Sequence, residues 1–79
     1  MTKKQVLALA VARLRDGQTV RLDVKHRPYH YIGTVTGVSH STIQIDGTAH
    51  GLDVPHSGRF FIRAGGVIIS DLNNQQESE

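Results

Sequence analysis

The residues able to carry acid–base or metal chemistry are scattered along this chain. Four aspartates lie far apart, whereas a catalytic carboxylate pair needs two groups held close together: Asp23, Asp46, Asp53 and Asp71. His26 and His30 have a spacing that aligns ligands on a helix, but Pro28 lies between them. The chain has no cysteine and hence no thiolate metal site. We therefore expect a protein that is not an enzyme and that has no metal site and no cofactor.

Nucleic-acid binding requires cations for phosphates and aromatic rings for bases, and one segment contains both. Lys25, Arg27, Tyr29, His30 and Tyr31 follow one another closely. Nine Lys+Arg against seven Asp+Glu make the chain mildly basic, which permits an anionic partner without requiring one. The opposing interpretation is that Tyr31 fills the protein interior and that the two cations are ordinary solvated turn residues.

The elements that must position these residues begin with a helix over residues 3–15. Its apolar residues recur at helical spacing: Val6, Leu7, Ala10, Val11 and Leu14. Thr2 is a suitable N-cap, and Gly17 can end the helix in the left-handed conformation. The apolar run is too short to span a bilayer and lacks a cleavage pattern, so we expect a cytoplasmic protein with no membrane contact.

After Gly17 the apolar period changes to two, which is typical of strands. We predict five strands, at residues 20–25, 29–37, 42–46, 59–63 and 67–70. Residues 47–58 are predicted to be a loop, and residues 64–66 a tight corner. Glycines within the second strand, at Gly33 and Gly37, predict strong bending.

The predicted fold is mainly β, an N-terminal helix followed by a strongly bent five-stranded antiparallel sheet that forms a small open barrel. A flat sheet of this size would expose two edges. With 79 residues the chain is one domain, over residues 1–72, followed by a polar tail at residues 73–79 that we expect to be disordered. So small a core without disulfides also favours self-association.

Three stretches carry a family resemblance. Residues 17–25 are a glycine followed by an alternating apolar run. Residues 31–35 read Tyr-Ile-Gly-Thr-Val, and residues 61–69 read Phe-Ile-Arg-Ala-Gly-Gly-Val-Ile-Ile. In order and spacing they resemble the Sm-like fold of Sm, Lsm and bacterial Hfq-type proteins. The resemblance extends from Leu14 to Leu72.

The resemblance implies a ring in which strand four of one subunit pairs with strand five of the next, a hexamer or heptamer by analogy. The implied interface residues lie in these two strands: Phe60, Phe61, Ile62, Val67, Ile68 and Ile69. It also implies single-stranded RNA as a partner, bound at loops around the central pore. Family members that bind uridine-rich RNA carry an Asp and an Asn where this chain has Ser39 and Thr42, and of their Arg-Gly-Asp/Asn corner only Arg63 is kept.

The predicted RNA-binding residues combine these loops with the cations of the first hairpin: Ser39, His40, Thr42, Arg63, Gly65, Lys25 and Arg27. Two alternatives stay open at this point. One is a protein-interaction or scaffold module with an SH3-like barrel and no nucleic-acid role, which would use the 47–58 loop or the helix face. The other, weaker alternative is a small-ligand or metal-dependent enzyme.

Overall fold

A computed structural model describes residues 2–72, beginning with helix α1 at Lys3–Asp16. The predicted caps are present, since the Thr2 hydroxyl accepts a hydrogen bond from the Gln5 N–H and Gly17 adopts the left-handed conformation. Helix α1 packs on two strands, His30–Val38 and Val67–Asp71. Its buried stripe is smaller than predicted, because only Val6 and Ala10 are buried and Leu14 at the last turn stays 39% exposed.

Five strands follow the helix and form one antiparallel sheet in the order β4-β3-β2-β1-β5. They are β1 Thr19–Val24, β2 His30–Val38, β3 Thr42–His50, β4 His56–Arg63 and β5 Val67–Asp71. The sheet is not closed, because within residues 2–72 the outer strands β4 and β5 do not pair with each other. The predicted mainly β fold, an N-terminal helix followed by a five-stranded antiparallel sheet, is confirmed, and the sheet predicted to form a small open barrel does not close into one within residues 2–72. The predicted tail at residues 73–79 lies outside the described residues.

The predicted loop over residues 47–58 is wrong for most of its length. Strand β3 continues to His50 and β4 begins at His56, so the connection covers only residues 51–55. Residues 47–49 are paired on both sides, with β2 and with β4. This double pairing, together with burial of Ala49, outweighs the local preference of glycine for turns.

Three glycines lie side by side across the sheet and form a line at which it bends. Gly33 of β2 is the register partner of Gly47 of β3, which is in turn the partner of Gly58 of β4. A Cβ on Gly33 would lie 2.7 Å from the Gly47 Cα, a distance that real Cβ atoms essentially never show. Gly33 and Gly47 therefore mark a close approach of the β2 and β3 backbones that only glycine permits.

The corner at residues 64–66 shows how strong the curvature is. It joins β4 to β5, which are the two opposite edges of the sheet. Five flat strands would separate those edges by about 19 Å, whereas the chain from Arg63 to Val67 reaches at most about 14 Å. The sheet must curl for this connection to be made.

One hydrophobic core fills the concave side of the curled sheet. Its largest fully buried side chains come from the helix and the three middle strands: Val6, Val20, Leu22, Val35, Ile43 and Ile45. Phe60 and Tyr31 pack against this core from the side, with ring centroids 5.0 Å apart. No polar or charged residue within residues 2–72 is buried.

Candidate nucleic-acid interface

Three segments meet where the corner crosses between the sheet edges. The Ala64 N–H donates to the Ser41 carbonyl at 2.8 Å, which ties the corner to the β2–β3 turn. The Lys25 N–H donates to the Gly66 carbonyl at 2.9 Å, which ties it to the segment after β1. We call the surface formed by residues 25–27, 39–42 and 63–66 the loop end. All seven predicted RNA-binding residues lie on it.

The side chains of the loop end are available to a ligand. Six of the seven predicted residues are exposed and Thr42 is half-buried; the exposed ones are Lys25, Arg27, Ser39, His40, Arg63 and Gly65. Thr42 is also the register partner of Arg63, which places the β2–β3 turn beside the strand that carries this cation. The structure thus brings together residues that lie far apart along the chain.

The cations of the loop end differ from three arginines elsewhere but resemble Lys3, Lys4 and Arg15, which likewise have no acidic partner within residues 2–72. Arg13, Arg21 and Arg59 each form ion pairs, and these involve Asp16, Asp71, Asp23 and Asp46. No carboxylate within residues 2–72 lies within ion-pair distance of Lys25, Arg27 or Arg63. These three charges are therefore free to attract an anion.

A groove that sequence reasoning missed adjoins the loop end. It has a volume of about 240 Å³ and is lined by Gly37, Val38, Ser39, Thr42, Gln44 and Phe61. Gln44 carries no chemistry that a sequence motif would single out. Its significance appears only when the register places it opposite Phe61, whose side chain is 68% exposed.

The predicted interface residues divide between the interior and the surface. The side chains of Ile62, Val67 and Ile69 belong to the hydrophobic core. Phe61 and Ile68 point outward, and Ile68 is 42% exposed. Contact with another subunit through the core-facing residues would therefore use their backbone and not their side chains.

The aromatic residues of the first hairpin contact other rings of the protein, and Tyr29 meets Tyr31 edge to face with ring centroids 6.0 Å apart. Tyr31 packs against the core, and its burial, followed by the effect of Tyr29, raises the pKa of its hydroxyl above 10.0. His30 stacks on His50 of the neighbouring strand, with centroids 5.4 Å apart. Burial is the largest cause of a lowered His30 pKa, and Arg21 adds to it.

Residues 2–72 contain no group of three or more His, Cys, Asp or Glu side chains placed to hold a metal ion. No helix in that range is both long enough and apolar enough to cross a bilayer.

Comparison of the chain with protein-family models, with curated proteins and with solved structures finds no match. The resemblance to Sm-like proteins therefore stays a prediction that depends on the residues of this chain alone.

Proposed function

We propose that this chain is a non-enzymatic protein that binds single-stranded RNA at the loop end. The observation that supports this most directly is that three exposed cations without an acidic partner in residues 2–72, Lys25, Arg27 and Arg63, lie on segments joined by two backbone hydrogen bonds. Phosphate contacts dominate the affinity of nucleic-acid binders, and they need cations of this kind.

The proposed mechanism is binding without chemistry. The three cations neutralise backbone phosphates and release counterions. Ser39, His40 and Thr42, which lie close together at the β2–β3 turn, supply donors and acceptors to the edge of a base. Single-stranded RNA suits this arrangement because its bases are not already paired.

The proposal includes assembly into a cyclic homo-oligomer. Strands β4 and β5 each pair on one side only, so each has an edge of unpaired backbone groups within the described sheet. Pairing of β4 in one copy with β5 in the next is a head-to-tail contact, which closes into a ring when the rotation fits. Ile68 of β5 is 42% exposed and is an apolar side chain that such a contact could cover. A hexamer or heptamer, with loop ends around a central pore, follows the Sm-like resemblance.

The test is the salt dependence of binding to fluorescently labelled oligouridine, followed by anisotropy. We expect affinity to fall as salt rises, and we expect Arg63→Ala to weaken binding and to reduce the slope of log K against log salt by about 0.7. Arg59→Ala is the matched control, because Arg59 lies in the same strand but is already paired with Asp46 at 3.0 Å. If wild type and variants alike show no salt-sensitive binding, the proposal is wrong.

A second candidate function is a protein-interaction module. The observation that favours it is the short loop at residues 51–55, where Leu52 and Val54 are 43% and 63% exposed. Side chains of this kind are more typical of protein contacts than of phosphate contacts. Binding of a defined protein partner that persists after nuclease treatment, and that the Val54→Asp variant loses, would favour this function over RNA binding.

A further inference from the structure

The groove beside the loop end combines a flat apolar wall with polar groups. Phe61 of β4 and Gly37 of β2 flank Gln44 of β3, since Gln44 is the register partner of both. Because Phe61 follows the core-facing Phe60, its ring stands on the opposite, outer face of the sheet. Gly37 has no side chain, and a Cβ there would already be in contact with Gln44 at 3.5 Å. The groove is therefore open above the backbone of β2.

One polar side chain of the groove, that of Gln44, is oriented by a hydrogen bond that uses only part of its capacity. The Gln44 Nε2 donates to the Thr36 hydroxyl at 3.0 Å, which orients the amide. This bond leaves the side-chain oxygen Oε1 of Gln44 and one N–H of its side-chain amide for a ligand. The hydroxyls of Ser39 and Thr42 lie at the same groove. A flat ring with donors and acceptors on its edge matches this arrangement.

A free positive charge lies next to the aromatic wall. Arg63 is two residues beyond Phe61 in β4, so both side chains project from the same face of the strand. Arg63 has no acidic partner within residues 2–72. An aromatic platform beside a cation is the combination that proteins use for unpaired bases and their phosphates.

We propose that the groove formed by Phe61, Gln44, Thr42, Ser39 and Gly37 holds one unpaired nucleobase, stacked on the Phe61 ring and hydrogen-bonded by the Gln44 amide. This inference rests on the proposed RNA binding and names the base-binding part of that site. It assigns the Phe61 side chain to the ligand and not to the subunit interface. Base binding by Phe61 is compatible with ring formation through β4. The Phe61 ring projects from the face of the sheet, whereas the backbone groups that would pair with β5 of another subunit lie along the outer edge of β4.

The experiment uses the absence of tryptophan from the chain. Phe61→Trp places a single fluorophore in the groove, and Leu14→Trp places one on an exposed position of α1 as the matched control. Each variant is titrated with oligouridine and with an abasic oligonucleotide of the same length. We expect oligouridine to quench the tryptophan emission of Phe61→Trp and the abasic strand to leave it unchanged, while neither strand quenches the control.

A second variant measures the contribution of the ring to affinity. Phe61→Leu keeps an apolar side chain but removes the aromatic face. We expect its affinity for oligouridine to fall about tenfold, within the range of measured base–aromatic stacking, and its affinity for the abasic strand to stay that of wild type. Native mass spectrometry of the same variant should give the wild-type subunit number.

The outcomes separate this inference from the function on which it rests. If wild-type protein binds oligouridine with the expected salt dependence but Phe61→Trp is not quenched, the groove assignment is wrong and the RNA function stands. A changed subunit number in Phe61→Leu, with unchanged base dependence, would place Phe61 in the subunit interface and also overturn the assignment. If wild-type protein does not bind oligouridine at all, both proposals fall.

Discussion

Two arginines of strand β4, four residues apart, lie in opposite surroundings. Arg59 lies at the glycine bend and is held by Asp46 at 3.0 Å, and this hydrogen bond raises the pKa of its guanidinium. Arg63 lies at the loop end and has no acidic partner within residues 2–72. At the bend, charge is neutralised inside the chain.

The glycines of the two regions also differ in the space that surrounds them. At the bend, Gly33 and Gly47 are so close that neither can carry a Cβ without movement of the backbone. At the loop end, a Cβ on Gly65 would meet no atom within 4 Å. The bend therefore constrains the sequence through backbone packing, whereas Gly65 at the loop end is under no such constraint. In the same corner, Gly66 has a positive φ of 84° and Ala64 is buried, so both of these positions are constrained by the fold. Substitutions at the bend should impair folding, and substitutions of the exposed side chains at the loop end should impair binding.

The largest expected effect is that of Gly33→Ala. The added Cβ would lie 2.7 Å from the Gly47 Cα and closer still to the Asp46 carbonyl oxygen, so two strands would have to separate. We expect the free energy of unfolding to fall by about 3 kcal/mol, the upper part of the usual range for overpacking. Chemical denaturation followed by circular dichroism, at one fixed protein concentration, measures this change.

Gly65→Ala is the matched control for that comparison, since its Cβ enters open space. We expect it to change the free energy of unfolding by no more than about 0.5 kcal/mol, as is usual for surface positions. Equal losses in the two variants would show that the glycine line does not set the bend.

The smallest expected effect is a pH dependence of folding stability that arises from His30. This residue stacks on His50 and lies at the start of β2. Burial, and then Arg21 and His50, lower its pKa from 6.5, while Asp23 raises it. The unfolded chain therefore binds a proton at His30 more tightly than the folded chain does. The contribution of this group to stability is fully present above about pH 6.5 and declines as the pH falls below that value.

His30→Gln should remove the loss of stability that protonation of His30 causes. The melting temperature should therefore fall less between about pH 7.5 and about pH 5.5 in this variant than in the wild type. Titration of the His30 ring by NMR gives the sign directly, with a midpoint below 6.5 in the wild type. Arg21→Gln should raise that midpoint, because it removes a nearby positive charge and releases Asp23 from its ion pair. A midpoint above 6.5 would contradict the assigned burial.

Local signals in the sequence were sufficient for the elements whose ends are fixed by local chemistry. Thr2 and Gly17 bound the helix because capping depends on residues within one turn. The end of β3 could not be predicted in this way. Its second half contains Gly47 and polar residues and is held as a strand by pairing with β2 and β4, which is not visible in a local window.

The site shows the same division between local and long-range information. The predicted loop-end residues are of types that suggest binding in any context, and the structure brings them together. Gln44 could not be recognised, because a glutamine in a strand becomes significant only when Phe61 lies across from it. The sequence also did not tell which of the adjacent Phe60 and Phe61 faces the core, since the run that contains them is apolar on both faces.

Native mass spectrometry of the protein with added oligouridine tests the central claim most directly, because it reports subunit number and bound RNA together. We predict a mass of about six or seven copies of the 8.7 kDa chain, carrying oligouridine. Ile68→Asp, which places a charge on the exposed face of β5, should shift the population toward smaller species. A wild-type protein that stays an 8.7 kDa monomer and retains no RNA would contradict the account.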